Sequence, residues 1–254
     1  MSFTKLCVLL FTLTIAGVSS ARAACSNASI KGTYGVLSTG LNGSLQPASS
    51  LNQVTVDGLG NLTGSATKSI NGSIVTFTFT GTYAIASNCV GTVTFTNQSN
   101  QTEHDKIYLN SVNATGLFTG GFLVQTDANH VQSSVALAQG AATCTDLAVK
   151  HAYTFEATGT DVVKGRQFAI AGRLVLNGTG GITGNETLSL GGMILTSVAV
   201  TGSYTVNSDC TANSSVTPTG LSTSHLNLLV VNGGKEMLGI GTDAGSVVTV
   251  RLRQ

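Results

Sequence analysis

The chain has no tryptophan, two prolines and few charges: Lys, Arg, Asp and Glu together make up 9 % of its 254 residues, against about 25 % in an ordinary globular domain. Each shortage excludes a class of protein. With 12 basic and 11 acidic side chains, there is no electrostatic footprint for nucleic acid or anionic lipid. Disorder is excluded as well, because it needs low hydrophobicity and high net charge, whereas 42 % of these residues are hydrophobic. No segment carries a 3.6-residue apolar stripe, so a helix-rich enzyme is a poor fit. A Gly-x-Ser-x-Gly nucleophile elbow is missing, and the Gly-rich stretches lack the Gly-Lys-Ser/Thr and following helix of a phosphate loop.

What the chain has in quantity is Thr, Ser, Asn, Val and Gly, a composition suited to exposed β-sheet and tight turns. The first residues stand apart. Met1 to Lys5 carries one positive charge, Leu6 to Val18 is apolar but too short to span a bilayer, and Ala21-Arg22-Ala23 offers small residues at a signal-peptidase site. Residues 1–23 are therefore predicted to be a secretory signal, and the mature protein is expected to be secreted or periplasmic. Arg22 argues against a lipidated Cys25, since a lipobox wants an apolar residue there. Cys7 leaves with the leader, so Cys25, Cys89, Cys144 and Cys210 remain, an even number fit for two disulfides in an exported chain.

Internal repetition organises the rest. Cys25 through Lys31 and Tyr34 matches Cys144 through Lys150 and Tyr153; Gly58-Leu-Gly60 matches Gly178-Thr-Gly180; Gly81-Thr-Tyr83 through Cys89 matches Gly202-Ser-Tyr204 through Cys210; and Thr126-Asp127-Ala128 matches Thr242-Asp243-Ala244. The expected repeats are residues 24–140 and 141–254. Of the three possible pairings, duplication favours the one each copy makes alone, Cys25–Cys89 and Cys144–Cys210. A loop of roughly 65 residues closed in this way is worth about 4 kcal/mol on chain-entropy grounds.

Period-two alternation runs through both copies. Val75-Thr-Phe77-Thr-Phe79-Thr puts three apolar side chains on one face and three threonines on the other, and Val248-Thr-Val250-Arg-Leu252-Arg sets three aliphatics against Thr249, Arg251 and Arg253. Between such runs lie Asn42-Gly43, Asp57-Gly58, Asn71-Gly72, Asn177-Gly178 and Asn232-Gly233, dipeptides that accept the positive φ of hairpin turns. Eight strands per copy are predicted, near 32–38, 51–56, 61–70, 74–85, 91–96, 106–112, 117–125 and 131–138, then near 151–157, 167–176, 181–189, 193–205, 211–217, 225–231, 236–241 and 246–252. The expected fold class is all-β: two tandem eight-stranded antiparallel up-and-down barrels, closure at eight strands leaving room for side chains or one small ligand. Two β-sandwiches are the alternative, although an immunoglobulin-type sandwich wants a Trp between the cysteines and a Tyr two residues before the second. An outer-membrane barrel would need an apolar exterior and aromatic girdles, and only 6 % of residues are aromatic.

The pattern Gly58, Gly60, Asn61, Leu62, Thr63, Gly64, Thr67, Ser69, Asn71, Gly72, then Thr80-Gly81-Thr82-Tyr83 ahead of Cys89, largely kept in copy two, resembles a group of exported bacterial proteins of unknown function. More distantly, Gly32-Thr-Tyr34 resembles the Gly-x-Trp opening of the calycin-like barrels (lipocalins, avidins and allene-oxide-cyclase-like proteins), with His151-Ala-Tyr153 departing further. That resemblance implies barrels, hollow or plugged, and says little about a ligand. It does not imply biotin binding, because the stacking tryptophans are absent.

The matched tyrosines Tyr34, Tyr83, Tyr153 and Tyr204 are the ligand-lining candidates; each offers a flat apolar ring and one hydroxyl. Their structural alternative is to plug the barrels as core. No metal or other cofactor is expected, since His104, His130, His151 and His225 form no clustered pair and are read as unmatched, solvated residues. Asp127 and Asp243 are expected to cap turns. Three functions follow for testing: a secreted protein holding a small apolar or amphipathic ligand, a structural or adhesive surface module contacting polymer, and a barrel enzyme of cyclase or isomerase type. The last would need a polar group such as Glu156, Glu186 or a tyrosine inside an apolar pocket. No nucleic-acid partner and no membrane span are expected.

Overall fold

The computed structural model describes residues 24–112, 117–140 and 143–254. The predicted leader, 1–23, lies outside them, as do residues 141 and 142, where the second repeat is expected to begin. The described residues form sixteen strands. The first eight are β1 (Lys31–Leu41), β2 (Pro47–Asp57), β3 (Asn61–Ile70), β4 (Ser73–Ile85), β5 (Val90–Asn97), β6 (Thr102–Val112), β7 (Phe118–Gln125) and β8 (Val131–Ala138). The second eight are β9 (Ala152–Asp161), β10 (Arg166–Leu176), β11 (Gly181–Leu190), β12 (Met193–Val206), β13 (Thr211–Pro218), β14 (Ser224–Val231), β15 (Glu236–Gly241) and β16 (Ser246–Arg253).

Each set of eight closes into an up-and-down antiparallel barrel, β1 pairing with β8 and β9 with β16. Two closed eight-stranded barrels fit a tandem calycin-like protein, and the sandwich alternative falls. Closure leaves no sheet edge for these Thr-rich strands to expose. The disulfides Cys25–Cys89 and Cys144–Cys210 each tie a short 3₁₀ turn, Asn27–Ser29 or Asp146–Val149, to the β4–β5 or β12–β13 connection. No described helix is long and apolar enough to cross a membrane.

The barrels lie side by side along an apolar seam, with a cleft of about 500 Å³ between Thr76, Thr78 and Gln98 of one and Thr211 and Asn213 of the other. Leu37 and Leu51 on the outer face of β1 and β2 meet Leu229, Val231, Leu238 and Ile240 on the outer face of β14 and β15. Contact is close enough that a Cβ on Gly35 would fall 2.7 Å from Val231 Cγ1. Polar bonds stitch both ends of the seam. At the disulfide end Gln53 Nε2 donates to Asp209 O (2.6 Å) and Gly233 N to Gln139 O (2.8 Å); at the other end Ser69 Oγ donates to Ser246 O (3.0 Å) and Gly245 N to Gly72 O (2.9 Å). The two barrel mouths therefore open to the same side.

Candidate functional site

The two interiors differ although the strands match. In the first barrel Phe77, Phe79 and Phe95 reach inward, with Phe79 and Phe95 edge to face at 5.3 Å. They pack with Tyr34, Leu62, Tyr83 and Ile107 into an apolar half that leaves a void of only about 50 Å³. Towards the mouth the filling is polar. Lys68 Nζ bonds Glu103 Oε1 at 2.7 Å, and Asp105 lies beside them among Ser50, Asn52 and Gln125. Burial, with the carboxylates Glu103 and Asp127 nearby, pushes the Asp105 carboxyl up to about 7. Only about 50 Å³ is left over there.

The second barrel is hollow. Strand register places Val198, Val200 and Val216 where the first copy has Phe77, Phe79 and Phe95, so three rings give way to three smaller side chains. A cavity of about 700 Å³ results, walled by Phe155, Phe168, Ile170, Leu174, Leu188, Val216, Leu226 and Val248. That is the size of a pocket that holds a drug-sized molecule. Interior polarity is transposed as well. Lys68, Glu103 and Asp105 of the first copy correspond to Leu188, Ser224 and Leu226, whereas Ala66 and Val93 correspond to Glu186 and Ser214.

Glu186 and Ser214 are the polar groups of the cavity wall away from its rim. Glu186 is 4 % exposed and Ser214 7 %. Among the described residues neither Glu186 Oε1 nor Ser214 Oγ has a hydrogen-bond partner, an arrangement that costs free energy unless something else supplies one. Burial alone pushes the Glu186 carboxyl up to about 6. The backbone is adapted at this point: β11 and β12 slip register between Glu186 and Leu188, and Ser197 opposite adopts φ 55°. The same stretch of β3 and β4 pairs without a slip. Bulges of this kind re-aim side chains and are common beside functional sites. Glu156, the other acid considered, is exposed and outside the cavity.

The four tyrosines sit at the closed ends, each with its hydroxyl bound to backbone. Tyr34 donates to Phe118 O (3.1 Å), Tyr83 to Ile30 O (3.3 Å), Tyr153 to Gly234 O (2.6 Å), and Tyr204 accepts from Gly178 N (2.9 Å). Tyr204 borders the cavity floor; Tyr153 is fully buried beneath it. Burial raises all four hydroxyl groups above the usual tyrosine value, Tyr34 to about 12. The arrangement suits plugs more than handles.

The histidines require a correction. His104 and His225 occupy equivalent places, and each binds the matched aspartate twice. His225 N donates to Asp243 Oδ2 and Nδ1 meets Oδ1, both at 2.7 Å; His104 repeats this with Asp127 at 2.8 and 2.7 Å. The offset of 121 that relates Cys89 to Cys210 also relates these histidines, a signal available in the sequence. The pair stands over the filled barrel and the hollow one alike, so it serves as a staple of the rim. Among the described residues no three His, Cys, Asp or Glu converge in a way that would hold a metal ion.

No family model matches the chain, and no curated protein does. Solved structures align with the chain at low scores, two of them as follows. Kievitone hydratase from Nectria haematococca aligns at a TM-score of 0.31 with 11 % identity, over 92 % of this chain and 94 % of that one. A protein of unknown function from the DUF3598 family of Nostoc punctiforme aligns at 0.26 with 10 % identity, over 88 % and 96 %.

Proposed function

We propose that the protein is a secreted or periplasmic carrier in which the second barrel, within 141–254, holds one small apolar or amphipathic molecule, and the first, within 24–140, is its filled partner. The carrying observation is the difference between the interiors: about 700 Å³ of apolar-walled space in one, against two separate voids of about 50 Å³ each in the other. A hollow of that size gives up packing that a filled core would have, and a guest restores it. Two disulfides and the leader-like N-terminus support an oxidising destination. Native mass spectrometry of the oxidised protein purified from its own secreted medium tests this reading. Extra mass lost on denaturation is the expected result. A clean apo mass that persists after incubation with a lipid extract would remove the reading and favour the structural or adhesive module.

A second reading rests on Glu186. A carboxyl that burial in an apolar cavity raises to about 6 is of the kind an isomerase or cyclase uses as a proton donor. Turnover of a bound guest by the wild type, lost in Glu186→Gln, would favour it over simple carriage.

A further inference from the structure

The chemistry of the guest can be taken further, on the carrier reading. Glu186 and Ser214 both lie near the middle of their strands, β11 and β13, so the polar contact they offer is at mid-depth and not at the mouth. No cation accompanies them there. Lys164 and Arg166 stand at the rim, where Asp161 Oδ2 lies 3.8 and 4.0 Å from them. An anionic head group brought to mid-depth would meet a carboxyl and no countercharge. A cationic one would force two charges into an apolar wall, whose desolvation cost exceeds what one ion pair returns. A neutral carboxyl, by contrast, has a proton to donate and no acceptor for it.

We propose that the guest is an uncharged, mainly apolar molecule carrying a hydrogen-bond-accepting oxygen (a ketone, ester or ether) part-way along its length, and that this oxygen accepts from the Glu186 carboxyl. The Ser214 hydroxyl is the second contact, able to donate or accept. The bulge at Ser197 lies on the neighbouring strand beside Val198, the register partner of Glu186. The first copy, with Ala66 and Val93 in the corresponding places, has no such handle.

Prodan, a neutral naphthyl ketone whose emission reports both polarity and hydrogen bonding to its carbonyl, is a suitable probe, with the hydrocarbon pyrene as its apolar control. Binding is measured to the full oxidised chain and to Glu186→Gln and Glu186→Leu, each first checked for an unchanged melting profile. Prodan is expected to bind wild type about tenfold more tightly than Glu186→Leu at pH 5, the worth of one buried hydrogen bond. Its affinity should fall by about tenfold per pH unit once the carboxyl ionises above pH 6, while Glu186→Gln stays flat. The other titratable groups facing the cavity are Asp161, Lys164, Arg166, Tyr204, His225 and Asp243; the Gln variant retains them all and so isolates Glu186. Pyrene should bind all three proteins alike. Equal prodan affinity across the variants, or displacement by decylamine or decanoate better than by decanol, would overturn the proposed guest chemistry and leave the carrier standing. Exclusion of both prodan and pyrene from every variant would overturn the carrier itself.

Discussion

Exchanging one residue between the copies tests the contrast between the filled and hollow interiors. Phe95 of the first barrel and Val216 of the second occupy the same register position, opposite Gly81 and Gly202. Phe95→Val removes a ring that meets Phe79 edge to face and leaves a gap in a core with almost no spare volume. A full Phe-to-Ala truncation in a core costs about 3–5 kcal/mol, and an aromatic pair about 0.5–1.5 beyond its area. Since Val keeps part of the contact and Phe95 is only half-buried, the expected loss is about 2 kcal/mol. For a chain of this size that lowers the melting temperature by about 4–8 °C. Val216→Phe is the converse. Adding atoms to a well-packed core costs about 1–3 kcal/mol, but here the ring enters open space, so stability should stay within about 0.5 kcal/mol of wild type or rise. The same substitution should weaken pyrene binding at least tenfold (about 1.4 kcal/mol). Urea or thermal unfolding followed by circular dichroism gives the first pair of numbers and fluorescence titration the third. A Val216→Phe protein destabilised by 2 kcal/mol or more, or a Phe95→Val protein indistinguishable from wild type, would refute the assignment of filled and hollow barrels.

Asp105→Asn should stabilise the protein at pH 8 and leave it unchanged near pH 4, by unfolding at both values. The carboxyl is held neutral in the fold up to about 7, so the unfolded chain releases its proton first and wild-type stability declines as pH rises from about 4 to 7. Linkage sets a ceiling of about 4 kcal/mol on this effect, reduced by whatever water reaches the group. Replacing Cys144 and Cys210 together by Ser opens a loop with a sequence separation of 66 and should cost about 2–5 kcal/mol, read by urea unfolding of the oxidised protein. Leu238→Ala, at a fully buried place in the seam, should cost about 2–5 kcal/mol and split one calorimetric transition into two; a single unshifted transition would show that the seam contributes little.

Much of the fold was legible. Alternation in segments such as Val75–Thr80, bounded by Asn-Gly and Asp-Gly turns, placed all sixteen strands within a few residues, because side-chain period and turn chemistry are local properties. The seam left a trace that period-two reasoning passes over: Leu228-Leu229-Val230-Val231 is a continuous apolar run, the mark of a strand buried on both faces. The hollow was harder to read. It depends on which side chains oppose one another inside a closed barrel, and no single strand of copy two looks empty. Only residue-by-residue superposition of the copies shows Phe95 giving way to Val216 and Ala66 to Glu186. Glu186 is one of two acids the sequence offers for an apolar pocket, and nothing local distinguishes it from the exposed Glu156. The matched tyrosines share a place at the closed ends of both barrels, and of the four Tyr204 alone borders the cavity of about 700 Å³.

The hydrogen bond from Gly245 to Gly72 joins the turn after β15, at the rim of the hollow barrel, to the β3–β4 hairpin of its neighbour. A barrel with a cavity of about 700 Å³ has few core contacts to brace its lip. Here the solid copy acts as a buttress along one whole flank, from the disulfide end to the lip. Gene duplication thereby separates two demands that a single barrel must reconcile, with one copy free to give up its core because the other keeps one. Mutational drift should accordingly be tolerated unevenly: substitutions that would unfold an isolated hollow barrel can survive in the tandem, and the opening can be reshaped on the side away from the buttress without loss of the fold.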